Sequence, residues 1–552
     1  MNRRLSSHTR ANHREGPSPA GNATAADRFW LAFAVLLTFA LRIPFFGVPM
    51  IADEGGYAYA TRGWLDGTGT LYHDLWISRP QGIFVLYGLV FETLGTDVVA
   101  LRLAAALAAA ALAVVVWFYT RRWAGGRAAN LAAVIFALAS ASPFHEGFTA
   151  NAETFMALPA ALAALVLLQS ARAGWSMPGL VLTGLLIGVS TLLKPSGIVM
   201  LIVAWAFIYL DVERPRRAQL RRSAAVLAGT LLAAIPSVIH GLSIGWEEFL
   251  YATVTYRLSS QSSATVGWDH HLWAFLGMFA RSWSFITLIG VVLLVRHRCA
   301  VRLWLRRRLW QPRRRRVSPS PQTIQIGLTA NSAPPGPFFR LARPDDDAGF
   351  LLRLWFLGCG IGISMGGDWW THYLIQAAAP FAIWLGVTLP RTMRTLRRAD
   401  RIFLGLAVFG LLLAPYWVVT KGSGEAIAEE LFDHPGFPVQ DEVATYLREH
   451  TAPGDKIYVA FDQAALYYLS ERTPAYRHLY DQELRVVPNA YSDLIALLHS
   501  DERPIYIVGT RQPGPFPDDS TTFWREVGQF YDLETMVDGV PIYRARAAAS
   551  SN

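Results

Sequence analysis

Long apolar runs recur along the chain and alternate with short polar segments. A helix needs about 20 apolar residues to cross the hydrocarbon core of a bilayer, and lipid offers the backbone no hydrogen-bond partner outside its own segment. Each run is therefore predicted to be a membrane-spanning helix. The pattern gives about eleven candidates, at residues 29–48, 98–119, 128–144, 153–170, 178–193, 195–211, 223–244, 272–295, 350–366, 372–390 and 402–420. The sequence thus predicts a polytopic α-helical membrane protein.

Polar segments interrupt this pattern at the N-terminus and in two long loops. Residues 1–28 contain Pro, Gly and Ser and are predicted to form a disordered cytoplasmic tail. Residues 49–97 form a long loop with short amphipathic pieces such as "IFVLYGLVFETLG". Residues 296–349 form a loop that is first basic and then rich in Pro and Ser, and this loop is predicted to be largely disordered.

The last segment, residues 425–552, has the composition of a soluble domain. The stretches "DKIYVAF" and "RPIYIVG" are typical of strands, and helical stretches such as "NAYSDLIALLHS" lie between them. Strands that alternate with helices indicate a small α/β domain. Since the segment has no GxGxxG or P-loop motif, we expect it to support the membrane core or to bind an acceptor without chemistry of its own.

Composition and charge agree with a membrane protein and give its orientation. Hydrophobic residues make up 53% of the 552 residues and charged residues only 16%, against about 25% charged in soluble domains. The net charge of +9 does not indicate a nucleic-acid partner, because the arginines fall in short blocks between apolar runs. Such blocks mark cytoplasmic loops. With the N-terminus in the cytoplasm, eleven spans place every block inside and the C-terminus outside.

The chain offers few candidates for metal or disulfide chemistry. Its two cysteines, Cys299 and Cys359, are predicted to be free thiols. A divalent metal is possible at His73, His270 and His271, but their spacing is not diagnostic. We therefore predict that no metal or other cofactor is required.

Ionisable groups are concentrated in the loops predicted to lie outside. Acidic and basic groups at membrane depth are costly and indicate function. Cations such as Arg79 and Lys194 are suited to hold a phosphate, and carboxylates are suited to take a proton from an acceptor hydroxyl. The outside candidates are Asp53, Glu54, Tyr57, Arg79, Asn151, Glu153, Lys194, His372 and Tyr373.

Five pieces of sequence, in order, resemble one family of membrane enzymes. They are "ADEGGYAYATRGWLDGTGTLYHDLWISRPQGIFVLY", "FTANAETFM", "LLKPSG", "THYLIQAAAPFAIWLG" and "VATYLREHTAPGDKIYVAFDQAALYYLSERTPAY". The set resembles integral-membrane glycosyltransferases of the GT-C fold, in the superfamily of protein O-mannosyltransferases and aminoarabinose lipid A transferases, in its bacterial RgtA/B/C/D-like branch. The resemblance covers about residues 29–480. It implies that residues 29–424 form a GT-C catalytic membrane domain.

The resemblance also implies a donor and several site residues. The donor would be a polyprenyl-phosphate sugar, used on the extracytoplasmic face of a bacterial inner or plasma membrane. Asp53 matches the family's catalytic base. The family's Lys-Pro-Pro, which contacts the lipid phosphate, is replaced here by Arg79-Pro80-Gln81, and Arg keeps the charge and adds a bidentate fork. Glu153 matches the acid of the second loop, and His372-Tyr373 match a late His-Tyr pair.

These observations predict an inverting transfer with Asp53 as base. Glu54 is expected to act beside Asp53, orienting Arg79 or Arg62, while Arg79 and Lys194 bind the donor phosphate. Tyr57, with the remaining candidates, is expected to bind substrate. A secondary transporter or flippase of lipid-linked sugar is the alternative, and a polymerase or ligase of surface polysaccharide is a third reading. The sequence does not identify the sugar, the acceptor (a glycan, lipid or protein) or the oligomeric state.

Overall fold

The computed structural model describes residues 23–210, 215–262, 268–309, 346–366, 369–432, 436–461, 463–510 and 521–546. Before the C-terminal domain the helices are α1 (Ala25–Ala40), α2 (Ala52–Leu65), α3 (Gly82–Thr93), α4 (Val98–Ala124), α5 (Gly126–Ser140), α6 (Ala152–Arg172), α7 (Met177–Leu193), α8 (Val199–Tyr209), α9 (Arg216–Ile244), α10 (Trp246–Leu250), α11 (Tyr256–Ser262), α12 (Trp268–Arg281), α13 (Trp283–Leu309), α14 (Asp347–Ser364), α15 (Ile375–Met393) and α16 (Arg398–Leu413). Short 3₁₀ turns lie at Ile43–Phe45, Pro143–His145, Pro195–Ile198, Thr371–Leu374 and Ala414–Lys421, and a π-turn at Tyr251–Thr255.

Each of the eleven predicted spans coincides with helix in the described structure. Seven helices are long and apolar enough to cross a bilayer, and the bent pair α12–α13, with a 74° angle at its break, makes an eighth. The other three predicted spans are the shorter apolar helices at 126–140, 177–193 and 195–209. The chain is therefore a multi-pass membrane protein, and in its described part seven or eight helices are long enough to span a bilayer by length and composition.

The break between the second and third of these shorter helices has a local cause. Pro195 lacks an amide hydrogen and follows Lys194, whose backbone is extended at φ −151° and ψ 133°. An X-Pro step disfavours helix at the residue before proline. Helix α7 consequently stops at Leu193, and the Lys194 side chain is free to turn into the interior beside α6.

Small residues allow the membrane helices to approach closely. A methyl group added to Gly184 of α7 would overlap the Val226 carbonyl of α9. Thr230 of α9 in turn donates to the Gly184 carbonyl at 3.1 Å. Membrane helices commonly pack in this way, with small residues at the contact and hydroxyls bonded across it.

The C-terminal segment is an α/β domain, as predicted. It comprises α17 (Gly424–Leu431), α18 (Gln440–His450), β1 (Lys456–Val459), α19 (Ala465–Ser470), β2 (Thr473–Pro474), α20 (Asp481–Val486), α21 (Ala490–Leu498), β3 (Tyr506–Val508), α22 (Thr521–Phe530), β4 (Tyr531–Val537) and β5 (Val540–Ala545). The five-stranded sheet has the order β2-β1-β3-β5-β4, parallel from β2 to β3 and antiparallel from β3 to β4. Ile457 pairs with Tyr506, which pairs with Arg544 on its other side.

The α/β domain and the loop between α1 and α4 share one hydrophobic core. Tyr57 and Trp76 from the loop are buried together with Leu466 and Tyr467 from the domain. The domain also has a core of its own around Tyr458 and Phe523, so the shared core joins two parts that each have a separate hydrophobic interior.

The two segments expected to be disordered lie mainly outside the described residues, but α13 continues as helix to Leu309, through the first part of the loop expected at 296–349. The structure does not describe residues 1–22 of the expected tail or residues 310–345 of the expected basic loop. Within the described part, α1 already begins at Ala25, where the Thr24 hydroxyl accepts from the Asp27 amide at 3.1 Å. The helical part of the chain thus starts slightly earlier than residue 29.

Candidate functional site

Asp53 and Glu54 lie in the first turn of α2, a helix separate from the first span. The chain leaves α1 at Ala40, makes a 3₁₀ turn, and enters α2 after Ile51, whose backbone is extended. Adjacent residues of a helix point in different directions. The Asp53 side chain keeps 24% of its surface exposed, whereas Glu54 has none. The two neighbouring carboxylates therefore occupy different environments.

Glu54 is held in a buried network with Arg102 of α4. The Arg102 Nη2 atom lies 3.0 Å from Glu54 Oε2, and neither side chain is exposed. Glu54 also accepts from the amides of Ile51 at 3.1 Å and Ala150 at 2.7 Å. Arg102 donates further to the Phe45 carbonyl at 2.8 Å. The network joins α2, α4 and the loop before α6.

This network corrects the expected partner of Glu54. We expected Glu54 to orient Arg79 or Arg62, but the structure places it on Arg102. Arg62 instead donates to the Tyr468 carbonyl at 2.8 Å. The physical reason is burial. Glu54 points to the buried side of α2, where the cation within reach is Arg102 of the membrane helix α4.

Arg79 lies on the partly exposed side of α2 and forms an ion pair with Asp53. The Arg79 Nη2 atom lies 3.6 Å from Asp53 Oδ2, and the Arg79 side chain is 12% exposed. Its Nε donates to the Tyr57 hydroxyl at 2.7 Å and its Nη1 to the Ser78 carbonyl at 3.2 Å. Tyr57 is fully buried. The Tyr57 hydroxyl thus fixes the guanidinium, and one nitrogen of that guanidinium remains directed at Asp53.

A second group of candidates gathers around Lys194. The Lys194 ammonium contacts Glu153 Oε1. His372 Nε2 lies 3.5 Å from the same oxygen, and His372 Nδ1 lies 3.1 Å from Glu146 Oε2. Two carboxylates, one imidazole and one ammonium therefore form a continuous, largely buried polar cluster.

Tyr373 and Asn151 complete this second group. The Lys194 ammonium lies 4.0 Å from the centroid of the Tyr373 ring, a cation–π distance. Asn151 is the N-cap of α6, with its Oδ1 accepting from the Ala152 amide at 2.8 Å. Glu153 follows in the first turn of α6, where the helix dipole favours a negative charge.

The two groups lie close enough to interact with each other. Lys194 is near enough to Arg79 and Asp53 for their charges to act on its ammonium group. The nine predicted residues, from five separate stretches of sequence, therefore come together in one region. Their chemical roles remain predictions.

Four further residues belong to this region. They are Arg102, Glu146, Arg257 and Tyr480. Glu146 joins the Lys194 cluster through His372. Arg257 of α11 donates to the Ser78 carbonyl at 3.2 Å, the same carbonyl that Arg79 uses. Tyr480 of the α/β domain donates to the Ala52 carbonyl at 3.2 Å. The sequence could have identified Arg102 as a candidate, because it is a charged residue inside an apolar run.

The described part of the chain contains no group of three or more His, Cys, Asp and Glu residues placed to hold a metal. The side chains of His270 and His271 fall outside that part. Cys359 is buried, and its Sγ donates to the Gln376 carbonyl at 3.3 Å. The expectation that no metal is required therefore stays a prediction.

Comparison with known proteins gives a family match and a shared fold. Residues 78–240 match the family model described as dolichyl-phosphate-mannose-protein mannosyltransferase. No curated protein sequence matches the chain. ArnT from Cupriavidus metallidurans, solved bound to undecaprenyl phosphate, is similar in structure with a TM-score of 0.58 and 15% identity, over 96% of this chain and 99% of ArnT.

A second solved structure shows the same architecture. The archaeal oligosaccharyltransferase AglB from Archaeoglobus fulgidus, in complex with an inhibitory peptide and a dolichol-phosphate, has a TM-score of 0.52 and 12% identity, over 88% of this chain and 69% of AglB. The apo form of ArnT gives a TM-score of 0.55 at 14% identity, over 94% of this chain and 98% of ArnT. At these identities the likeness establishes the fold.

Proposed function

We propose that this chain, which has the fold of the GT-C membrane glycosyltransferases and a mannosyltransferase-family match over residues 78–240, transfers a sugar from a polyprenyl-phosphate donor to an acceptor hydroxyl. One observation carries the proposal. The Asp53 carboxylate is partly exposed and lies 3.6 Å from the Arg79 guanidinium. A base and a phosphate ligand are thus adjacent, as this reaction requires.

The reaction is a single displacement at the anomeric carbon. The acceptor oxygen attacks that carbon and gives its proton to Asp53. The bond between the anomeric carbon and the phosphate oxygen breaks on the opposite face, so the configuration inverts. Polyprenyl phosphate leaves with the bonding electron pair. One base is sufficient, so a second carboxylate at the spacing of retaining glycosidases is not needed.

Cations stabilise the charge that develops on the departing phosphate. Arg79 is the first of these, because the Tyr57 hydroxyl fixes its Nε at 2.7 Å. Arg257 flanks it through the shared Ser78 carbonyl, and Lys194, paired with Glu153, is the further cation assigned to the phosphate. Preorganised donors aimed at developing charge commonly contribute more to the rate than any other single effect.

The remaining candidates are assigned to substrate binding and positioning. Glu153, His372 and Glu146 present acceptor and donor groups suited to sugar hydroxyls. Tyr373 lies against Lys194 of this cluster, and Asn151 caps α6 two residues before Glu153. Glu54 acts through Arg102 and through the backbone that it holds, and it is therefore a positioning residue.

The location and partners follow from charge and from the proposed reaction. The arginine blocks support a cytoplasmic N-terminus and an extracytoplasmic C-terminus in a bacterial inner or plasma membrane. The partners are the lipid donor and an acceptor glycan, lipid or protein. The GT-C fold favours transfer over the alternative of a transporter or flippase.

A transfer assay tests the proposal. Purified protein in lipid nanodiscs receives labelled polyprenyl-phosphate sugar and a membrane extract, and the labelled glycosidic product is measured. We expect Asp53→Asn to abolish transfer. Asp66→Asn is the matched control, since Asp66 is an exposed residue at the other end of α2 and should retain wild-type activity.

Two results would contradict the proposal. One is Asp53→Asn with wild-type transfer, which would remove Asp53 as the base. The other is movement of labelled lipid-linked sugar across sealed vesicles without a new glycosidic bond, which would establish transport instead.

A further inference from the structure

The α/β domain rests directly on the helix that carries Asp53. A methyl group added to Gly55 of α2 would overlap the backbone of Ala465 in α19. A methyl group added to Gly56 would overlap the Tyr480 hydroxyl. The two glycines of "ADEGGYAY" therefore allow the domain to approach the backbone of α2, within three residues of Asp53.

Tyr480 bonds to the residue that precedes Asp53. Its hydroxyl donates to the carbonyl of Ala52, the first residue of α2, at 3.2 Å. Burial raises the pKa of Tyr480 well above its ordinary value, so the group remains a neutral hydroxyl donor. The same hydroxyl lies against Gly56, three residues after Asp53. A side chain from the domain is thus in place beside the proposed base.

The segment that carries Tyr480 is fixed at several points. The His478 ring packs edge-on against Trp76, with centroids 4.8 Å apart and planes at 70°. The Glu483 carboxylate accepts from the Leu479 amide at 3.0 Å and lies 3.7 Å from His478 Nδ1. The position of the Tyr480 hydroxyl is therefore set by packing and hydrogen bonds on both sides of the residue.

The domain also contacts the C-terminal end of α2. Arg62, in the last turn of this helix, donates to the Tyr468 carbonyl at 2.8 Å, and its guanidinium lies 4.1 Å from the centroid of the Tyr468 ring. Contacts at Ala52 and at Arg62 bracket the helix. Its rotation and its axial position therefore depend on the α/β domain.

We propose that Tyr480 is a positioning residue for Asp53, and that through it the α/β domain sets the geometry of the transfer site. The inference rests on the proposed function of Asp53. It assigns the domain a part in the chemistry, whereas we expected from the sequence that the domain would only support the core or bind an acceptor. A misplacement of about 1 Å in a reacting group can reduce a rate about 100-fold, so a contact on the first residue of α2 is well placed to control catalysis.

Tyr480→Phe tests the inference, because it keeps the ring and removes the hydroxyl. We expect kcat to fall by about 10-fold to 100-fold, with the KM for the donor nearly unchanged. A residue that only stabilised the fold would lower the melting temperature and the yield of folded protein, without this change in kcat per folded molecule.

Tyr476→Phe is the matched control from the same domain. The Tyr476 hydroxyl also donates to a backbone carbonyl, that of Ala490 at 2.7 Å, which lies within the domain. This variant should match wild type in kcat and in the KM for the donor. If Tyr480→Phe and Tyr476→Phe behave alike while Asp53→Asn is inactive, Tyr480 has no positioning role and the proposed function stands. An active Asp53→Asn variant would instead overturn the proposed function.

A double-mutant cycle tests the contact itself. Gly56→Ala should displace Tyr480 and lower kcat. Removal of the hydroxyl removes most of this clash, because the next ring atom lies 3.1 Å from the added methyl position and needs to move by only a few tenths of an ångström. The double variant Gly56→Ala/Tyr480→Phe should therefore be no less active than Tyr480→Phe alone. If the two losses instead multiply, the residues act independently and the inference is wrong.

Discussion

Arg102 of α4 donates to Glu54 of α2 at 3.0 Å, and neither side chain is exposed. A buried charge is tolerated when it is paired and when its remaining hydrogen-bonding groups are satisfied. Here the Glu54 carboxylate also accepts two backbone amides, and Arg102 also donates to backbone carbonyls between α1 and α2. The pair therefore fixes the entry of the chain into α2 and leaves Asp53 on a different, partly exposed side of the helix.

Arg102→Met should destabilise the protein strongly, because it leaves the Glu54 carboxylate buried and unpaired. We expect a loss of about 3–5 kcal/mol in the free energy of unfolding, measured by denaturation in detergent. Lys421→Met is the control, since Lys421 pairs with Glu430 at 2.9 Å at a surface where 39% and 33% of the two side chains are exposed. That pair should contribute no more than about 1 kcal/mol. Equal losses in both variants would contradict the buried-pair interpretation.

The contact between Arg79 and Tyr57 predicts that lysine cannot replace Arg79. Lysine keeps a charge but lacks the fork that reaches Tyr57 and Asp53 together. We expect Arg79→Lys to reduce kcat/KM for the donor by about 10-fold, and Arg79→Gln by about 100-fold to 1000-fold, the usual cost of losing a preorganised donor. Steady-state transfer kinetics would measure both.

Tyr57→Phe provides the accompanying comparison for Arg79. It removes the acceptor of the 2.7 Å hydrogen bond but leaves the charge of Arg79 in place, so its loss should be smaller than that of Arg79→Gln. A Tyr57→Phe variant as impaired as Arg79→Gln would show that the hydroxyl acts on substrate directly and not through Arg79.

His145 predicts a dependence of stability on pH. It lies in the 3₁₀ turn after α5, its Nε2 is 3.0 Å from the Ser282 hydroxyl, and burial lowers its pKa to about 4. In the unfolded chain His titrates near 6.5. The unfolded state therefore takes up a proton first as the pH falls, and stability should decrease between about pH 6.5 and pH 4, by about 3 kcal/mol in total.

Thermal melts between pH 7.5 and pH 4.5 would measure the contribution of His145. His145→Gln should flatten the pH dependence in this window. His73→Gln should leave it unchanged, since 64% of the His73 side chain is exposed. A wild-type slope in His145→Gln would show that other groups cause the pH dependence.

The sequence could reveal the parts of the structure that depend on local composition. Apolar runs are visible in hydropathy, and so all eleven predicted spans coincide with helix. We did not predict the β4–β5 hairpin from the sequence. Its turn contains Asp538-Gly539, an Asp-Gly pair typical of a tight hairpin turn, and the φ angles of these residues are 44° and 87°. The hairpin is therefore a local feature that the sequence could have revealed.

Other parts of the site depend on contacts between distant segments. Glu54 was paired in the prediction with cations of its own loop, but burial brings it to Arg102, 48 residues away. Tyr480 lies 428 residues from its partner Ala52. One sequence cannot show which of many tyrosines meets α2, although Gly55-Gly56 marked the place where some backbone or side chain approaches closely.

Orientation in the membrane is the last prediction, and it follows from the distribution of arginine. In a background with Cys299 and Cys359 replaced by Ser, single cysteines at Asp66→Cys and Asp400→Cys would be labelled in intact cells with a membrane-impermeant maleimide. Asp66 is exposed at the end of α2, on the side of the proposed site, and Asp400 is exposed in the first turn of α16 beside the block Arg391–Arg401. Because arginine blocks stay in the cytoplasm, we expect Asp66→Cys to be labelled in intact cells and Asp400→Cys only after the membrane is permeabilised. The reverse pattern would place the Asp53 site on the cytoplasmic face and would exclude extracytoplasmic transfer.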